Sequence, residues 1–287
     1  MATLESQGSS WIFKFCVWSL LVVGGLIIFL PTIVLPSVVS RGGLLVYRVG
    51  TTLLFFMIGT ILLRFSRRYR KFWMLPYSLF IASASVLVSW IIIDWPLNWL
   101  SIQLRSPIGI TTAKLTEAVI VILCVIVLTV VTGSAIGSVF LKRGNLRLGI
   151  AIGLTSFILL FGFAVLQSAW QGISFGQIVK VVPLILVFTI ANGVMDELLF
   201  RGLFLNRYEA VIGPYPAILA TSLVFALAHI EFTYVQELPL FLALMFMFGI
   251  AWAAITRMTD SIIASSLFHA GVDAILITAI FTGTAIF

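Results

Sequence analysis

Residues 117–140 read EAVIVILCVIVLTVVTGSAIGSVF, and the only charge in the run is the glutamate that opens it. A helix rises about 1.5 Å per residue, and about 20 apolar residues cross the hydrocarbon layer of a bilayer. The run therefore predicts a membrane-spanning helix over 117–140. Eight other stretches read the same way, at 12–35, 44–63, 73–93, 148–168, 181–205, 217–231, 238–256 and 261–282. The stretch at 217–231 is short, and the first carries Lys14. The fold expected from this pattern is an all-α integral membrane protein, a polytopic bundle of about eight or nine transmembrane helices.

Composition leads to the same class. The 287 residues are 61% hydrophobic and 9% charged, with a mean hydropathy of +1.20. Soluble domains carry roughly 25% charged residues, and 9% is too few to make a water-facing surface. The net charge of +7 does not point to nucleic acid, because the bases cluster in short connectors such as RFSRRYRK (64–71) and KRGNLR (142–147). Counting connectors alternately, one side holds Arg64, Arg67, Arg68, Arg70, Lys71, Lys142, Arg143, Arg147, Arg207 and Arg257. The other holds Arg41, Arg105, Lys114 and Lys180. The positive-inside rule then places the N-terminus in the cytosol. The opening MATLESQGSS lacks a basic n-region, so the first span is expected to stay uncleaved. Neither end carries a prenylation box or lipobox, and a bacterial cytoplasmic membrane is the expected location. Cys16 and Cys124 lie in apolar runs and give no disulfide or metal framework. GSAIG (133–137) and GIAIG (149–153) are small-residue patterns that predict close helix packing.

The last four spans hold few ionisable residues, among them Asp196, Glu197, Arg201, His229, His269 and Asp273. Charge is expensive in a membrane, so such residues are functional candidates by default. Glu197 and Arg201 are four apart and pair on one helix face. Asp196 lies about 100° around the helix from Glu197 and needs a partner from another helix. His229 and His269, the only two histidines, complete a set that could hold and deprotonate water and steady an oxyanion. That chemistry is amide hydrolysis without a covalent intermediate. There is no His-Glu-x-x-His and no Gly-x-Ser-x-Gly. No metal or other cofactor is expected, with zinc held by His229, His269 and Glu197 as the alternative.

DELLFR (196–201), FALAH (225–229) and HAGVD (269–273) resemble, in order, the three motifs of the CPBP family, the Abi or type II CAAX prenyl protease family. The resemblance covers about residues 180–282. It implies a protease core at 176–287, with transmembrane helices of unassigned role at 1–175. It implies an intramembrane endopeptidase of the glutamate type, formerly described as a metalloprotease, acting on membrane-associated or lipidated peptides. Carried over, Asp196 and His229 activate water, His269 and Asp273 form the oxyanion side, and Glu197 with Arg201 and Phe225 supports them. The family's first carboxylate is a glutamate, whereas Asp196 is one methylene shorter. Either the helices approach more closely here, or Glu197 takes over as base, or activity is weak or lost, as in a family member acting as a membrane scaffold or immunity protein. A proton-coupled transporter is a further alternative, but no inverted repeat of broken helices is visible.

Overall fold

The computed structural model describes residues 11–36, 40–231 and 237–283. The readings made of MATLESQGSS and of the last four residues, 284–287, lie outside these. Among the described residues all regular structure is helical. The order is α1 (Trp11–Phe29), a single turn α2 (Pro31–Val34), α3 (Arg41–Phe65), α4 (Met74–Ile92), a short α5 (Asp94–Trp99), α6 (Pro107–Val131), α7 (Leu146–Trp170) and α8 (Phe175–Glu197). From α8 the chain runs on through a π-helical stretch, Leu198–Leu205, into α9 (Asn206–Ile212). It ends with α10 (Pro214–Leu227), α11 (Leu238–Thr259) and α12 (Ile263–Thr282). Among the described residues, eight helical stretches are long and apolar enough to cross a membrane. The remaining span of the sequence reading is α10, apolar but only 14 residues long. The molecule is an all-α integral membrane bundle.

Helix starts follow local chemistry. Ser40, Ser106, Asn145 and Ser174 each cap a helix, accepting from a backbone N–H three residues on. At α8 the cap is reciprocal, Gln177 bonding back to Ser174.

One span moves by ten residues from its expected place. The run at 117–140 becomes Pro107–Val131. Ser106 Oγ accepts from Gly109 N at 3.1 Å, and proline suits the first helical position, so the helix begins before the strongly apolar run does. It ends where Gly133 takes φ +74°. Two consequences follow. GSAIG is a turn, not a packing stripe. Lys114, counted from the sequence as a connector residue, lies inside α6.

Along α6 the faces separate cleanly. Ala118, Val121, Val125 and Thr129 are buried, while Val119, Leu123, Val127 and Val130 are exposed to the lipid side. Lipid is as apolar as these side chains, so close packing holds the bundle together. Small residues permit it. Gly153 of GIAIG packs on α12 so tightly that a Cβ there would sit 3.0 Å from Ala264 Cα. At Gly193 a Cβ would sit 2.6 Å from the Ser266 carbonyl oxygen. α12 is thereby wedged between α7 and α8, and is the most enclosed of the eight spans.

Candidate active site

The contact at Gly193 brings the end of α8 against the first turns of α12, and this places the first and third motifs together. Asp196 and Glu197 then diverge. Glu197 is fully buried, and its Oε1 lies 3.0 Å from Arg201 Nη1 and 3.1 Å from His269 Nδ1. Arg201 is equally buried and donates through Nη2 to the Gly249 carbonyl at 2.9 Å. Its guanidinium lies over the rings of Phe225, 4.9 Å away, and Trp252, 5.4 Å away. A buried pair that shares its charge with further donors and aromatic faces is tolerable where a lone ion is not. The i,i+4 pairing expected from the sequence is present, although Arg201 lies in the π-helical stretch.

Asp196 turns instead to a cavity of about 290 Å³. Its Oδ2 is 3.8 Å from His269 Nε2 and 3.4 Å from Asn192 Nδ2. Asn192 Nδ2 also donates to Asp273 Oδ2 at 2.8 Å. Asp273 Oδ1 is 3.6 Å from His269 Nε2. The four groups close a ring in which two nitrogen donors alternate with two carboxylates. His269 has a carboxylate opposite each ring nitrogen, and its ring is stacked on Trp252 at 4.0 Å with 7° between planes.

His229 was expected within a span over 217–231, but α10 stops at Leu227 and His229 sits in the turn beyond it. Its Nδ1 lies 2.8 Å from the Phe225 carbonyl, one of the carbonyls that a helix end leaves without an intrahelical partner. A carbonyl only accepts, so Nδ1 carries the proton and Nε2 keeps a lone pair. Phe225, fully buried, touches both imidazoles, with ring centres 4.6 Å from His229 and 5.5 Å from His269. It spaces the second motif from the third.

The cavity is lined by Asp196, His229 and Asp273, and also by residues that sequence reading missed: Asn192, Lys114, Glu117 and Arg48. Lys114 and Glu117 pair at 2.6 Å on α6, and Arg48 comes from α3. Ile28 and Phe29 of α1 and Val86 of α4 complete that wall. The helices left without a role thus form one side of the cavity. A charge pair three residues apart inside an apolar helix was the available signal for Lys114 and Glu117. For Trp252 it was a tryptophan deep within a span, away from the interfaces where tryptophan gathers.

Among the described residues no three His, Cys, Asp or Glu side chains are placed to share an ion. His229 Nδ1 is turned to a carbonyl, and Glu197 Oε1 is held by Arg201 and His269, so the zinc set His229, His269 and Glu197 does not converge.

Comparison with known proteins adds one finding. Residues 178–275 match the family model described as type II CAAX prenyl endopeptidase Rce1-like. No curated protein and no solved structure gives a significant match. The matched segment contains all three motifs and both histidines. Residues 178–275, about a third of the chain, are thus similar to the type II CAAX prenyl endopeptidase family.

Proposed function

We propose that the protein is an intramembrane endopeptidase that hydrolyses peptide bonds of membrane-associated or lipidated peptides with a water activated by Asp196 and His229. The observation that carries this reading is the shared cavity: Asp196, His229 and Asp273 all line it, and His269 Nε2 lies 3.8 Å from Asp196 and 3.6 Å from Asp273. A water between Asp196 and His229 Nε2 loses a proton to one of them as its oxygen bonds to the scissile carbonyl carbon. The carbonyl oxygen becomes an oxyanion, steadied by the N–H of His269 Nε2. The C–N bond then breaks, and the proton taken from water passes to the leaving amine. Glu197 acts through His269 and Arg201, not on the water, because it is sealed from the cavity. The shorter Asp196 is offset by the backbone-close approach of α8 to α12 at Gly193. No step is routed through a metal.

A CAAX-type substrate comes from the family description. The test is cleavage, in proteoliposomes, of an internally quenched peptide with a prenylated cysteine four residues from its C-terminus. The expected result is cleavage by the wild type that His229→Ala abolishes and that persists in a chelator. Absence of cleavage, or cleavage unchanged by His229→Ala, overturns the protease reading and favours a silent membrane scaffold. A stoichiometric metal lost together with activity overturns the metal-free route. The positive-inside count supports a cytosolic N-terminus in a bacterial membrane, and cysteine labelling from either side of the membrane tests the orientation.

A further inference from the structure

We infer that Asn192 is a catalytic residue, the second oxyanion donor beside His269; this rests on the hydrolase reading above. An oxyanion needs N–H or O–H groups aimed at the point where charge develops. Of the cations in the cavity wall, Lys114 is paired with Glu117 at 2.6 Å on α6 and Arg48 stands on α3, whereas Asn192 lies beside Asp196 itself. Asp273, when ionised, only accepts hydrogen bonds, and His229 Nδ1 is committed to the Phe225 carbonyl. Asn192 lies one turn before Asp196 on the same face of α8. Its Nδ2 has two hydrogens. One is anchored on Asp273 at 2.8 Å, and the other points towards Asp196 at 3.4 Å, a long bond that an incoming acceptor readily replaces.

The ring geometry makes Asn192 the counterpart of His269. Asp273 grips both donors, one through each oxygen. Both donors flank the same oxygen of Asp196, at 3.4 and 3.8 Å. A water held by Asp196 therefore attacks a carbonyl whose oxygen falls between two N–H groups. The acceptor-only Asp273 acts behind them as their common anchor. During attack the water oxygen bonds to carbon, its proton goes to the base, and the electron pair on the carbonyl oxygen is shared by Asn192 and His269.

The test moves the carboxamide from position 192 on α8 to position 273 on α12. On the prenylated peptide, Asn192→Ala is expected to lower kcat by about 10²- to 10³-fold, the usual loss for one oxyanion donor, with KM little changed. The double variant Asn192→Ala with Asp273→Asn puts an amide back into the ring and is expected to recover kcat to within about tenfold of wild type. A residue that merely braced Asp273 would give no such rescue. Two results overturn the inference while leaving the protease reading intact: His229→Ala inactive with Asn192→Ala fully active, or a double variant no better than Asn192→Ala. If Asn192→Ala does not fold, Asn192→Leu, which keeps the size of the side chain and removes the donor, is read in its place with the same rescue. Loss of cleavage in the wild type would instead strike the protease reading itself.

Discussion

Asp196 and Glu197 are adjacent in the chain and live in opposite surroundings. Glu197 belongs to a sealed region with Arg201, Phe225, Trp252 and the Nδ1 face of His269, where no side-chain surface of the ion pair reaches the cavity. Asp196 belongs to a second region with Asn192, Asp273 and the Nε2 face of His269, and keeps 14% of its side chain exposed. One step along a helix is a turn of about 100°, enough to send neighbouring carboxylates to two different tasks. The sealed side holds the imidazole still, and the cavity side is where water and a peptide bond can meet. His269 touches both, with one ring nitrogen turned to each side.

The comparison breaks most visibly at Asp196. Asp196→Asn keeps the size and most of the hydrogen bonding of the side chain while removing the base. Activity on the prenylated peptide is expected to fall by about 10²- to 10⁴-fold, the range for a positioned acid–base group, with the melting temperature in detergent close to wild type. A variant that melts much earlier but keeps its residual rate would make Asp196 a structural group and erase the distinction.

The sealed side should respond in the opposite way. Arg201→Leu leaves Glu197 buried without its cation, and breaking one partner of such a pair costs about 3–5 kcal/mol. Thermal melting in detergent is the measurement. The double variant Arg201→Leu with Glu197→Leu removes both charges and is expected to recover most of that stability, since paired buried charges are often replaceable by apolar side chains. Activity should not return with it, because His269 has lost the carboxylate that holds Nδ1. Recovery of both together would mean that Glu197 does not position the imidazole.

Much of this division was legible in the sequence. The apolar runs gave the spans, and the spacing of Glu197 and Arg201 gave their pair, because helical periodicity needs no tertiary information. The three motifs marked the residues that α8, α10 and α12 contribute. Less legible were contacts that exist only after the helices meet. Asn192 is an ordinary polar residue until Gly193 lets α8 lie against α12 and brings Asp273 within 2.8 Å of it. Trp252 carries no motif signal and matters because its ring lies flat on His269. Lys114 and Glu117 were blurred by their own setting. The stretch GITTAKLTE (109–117) is too polar to look like a span, and of it Lys114 and Glu117 line the cavity. His229 was placed in a helix because FALAH is apolar, whereas the turn after Leu227 is what frees its ring to reach back to the Phe225 carbonyl.

The smallest expected effect lies on the cavity side, far along the chain from the motifs. Lys114 and Glu117 face the Asp196–Asp273 wall as a hydrogen-bonded pair at 2.6 Å, with side chains 23% and 31% exposed. Such a pair presents little net charge, so the carboxylates opposite feel a dipole, which falls off faster than a lone ion. Lys114→Met removes the cation and leaves Glu117 as a third acid facing two others. Like charges in one cavity are unfavourable, and the expected cost is a fall in activity of less than about tenfold, with Coulomb energies of order 1 kcal/mol for partly solvated groups. Adding Glu117→Gln to Lys114→Met removes the stray charge and should return the rate towards wild type. If the double variant stays as slow as Lys114→Met, the α6 wall contributes a specific contact of the lysine to the substrate, and the cavity side then includes the N-terminal helices as part of the binding surface and not as a neutral boundary.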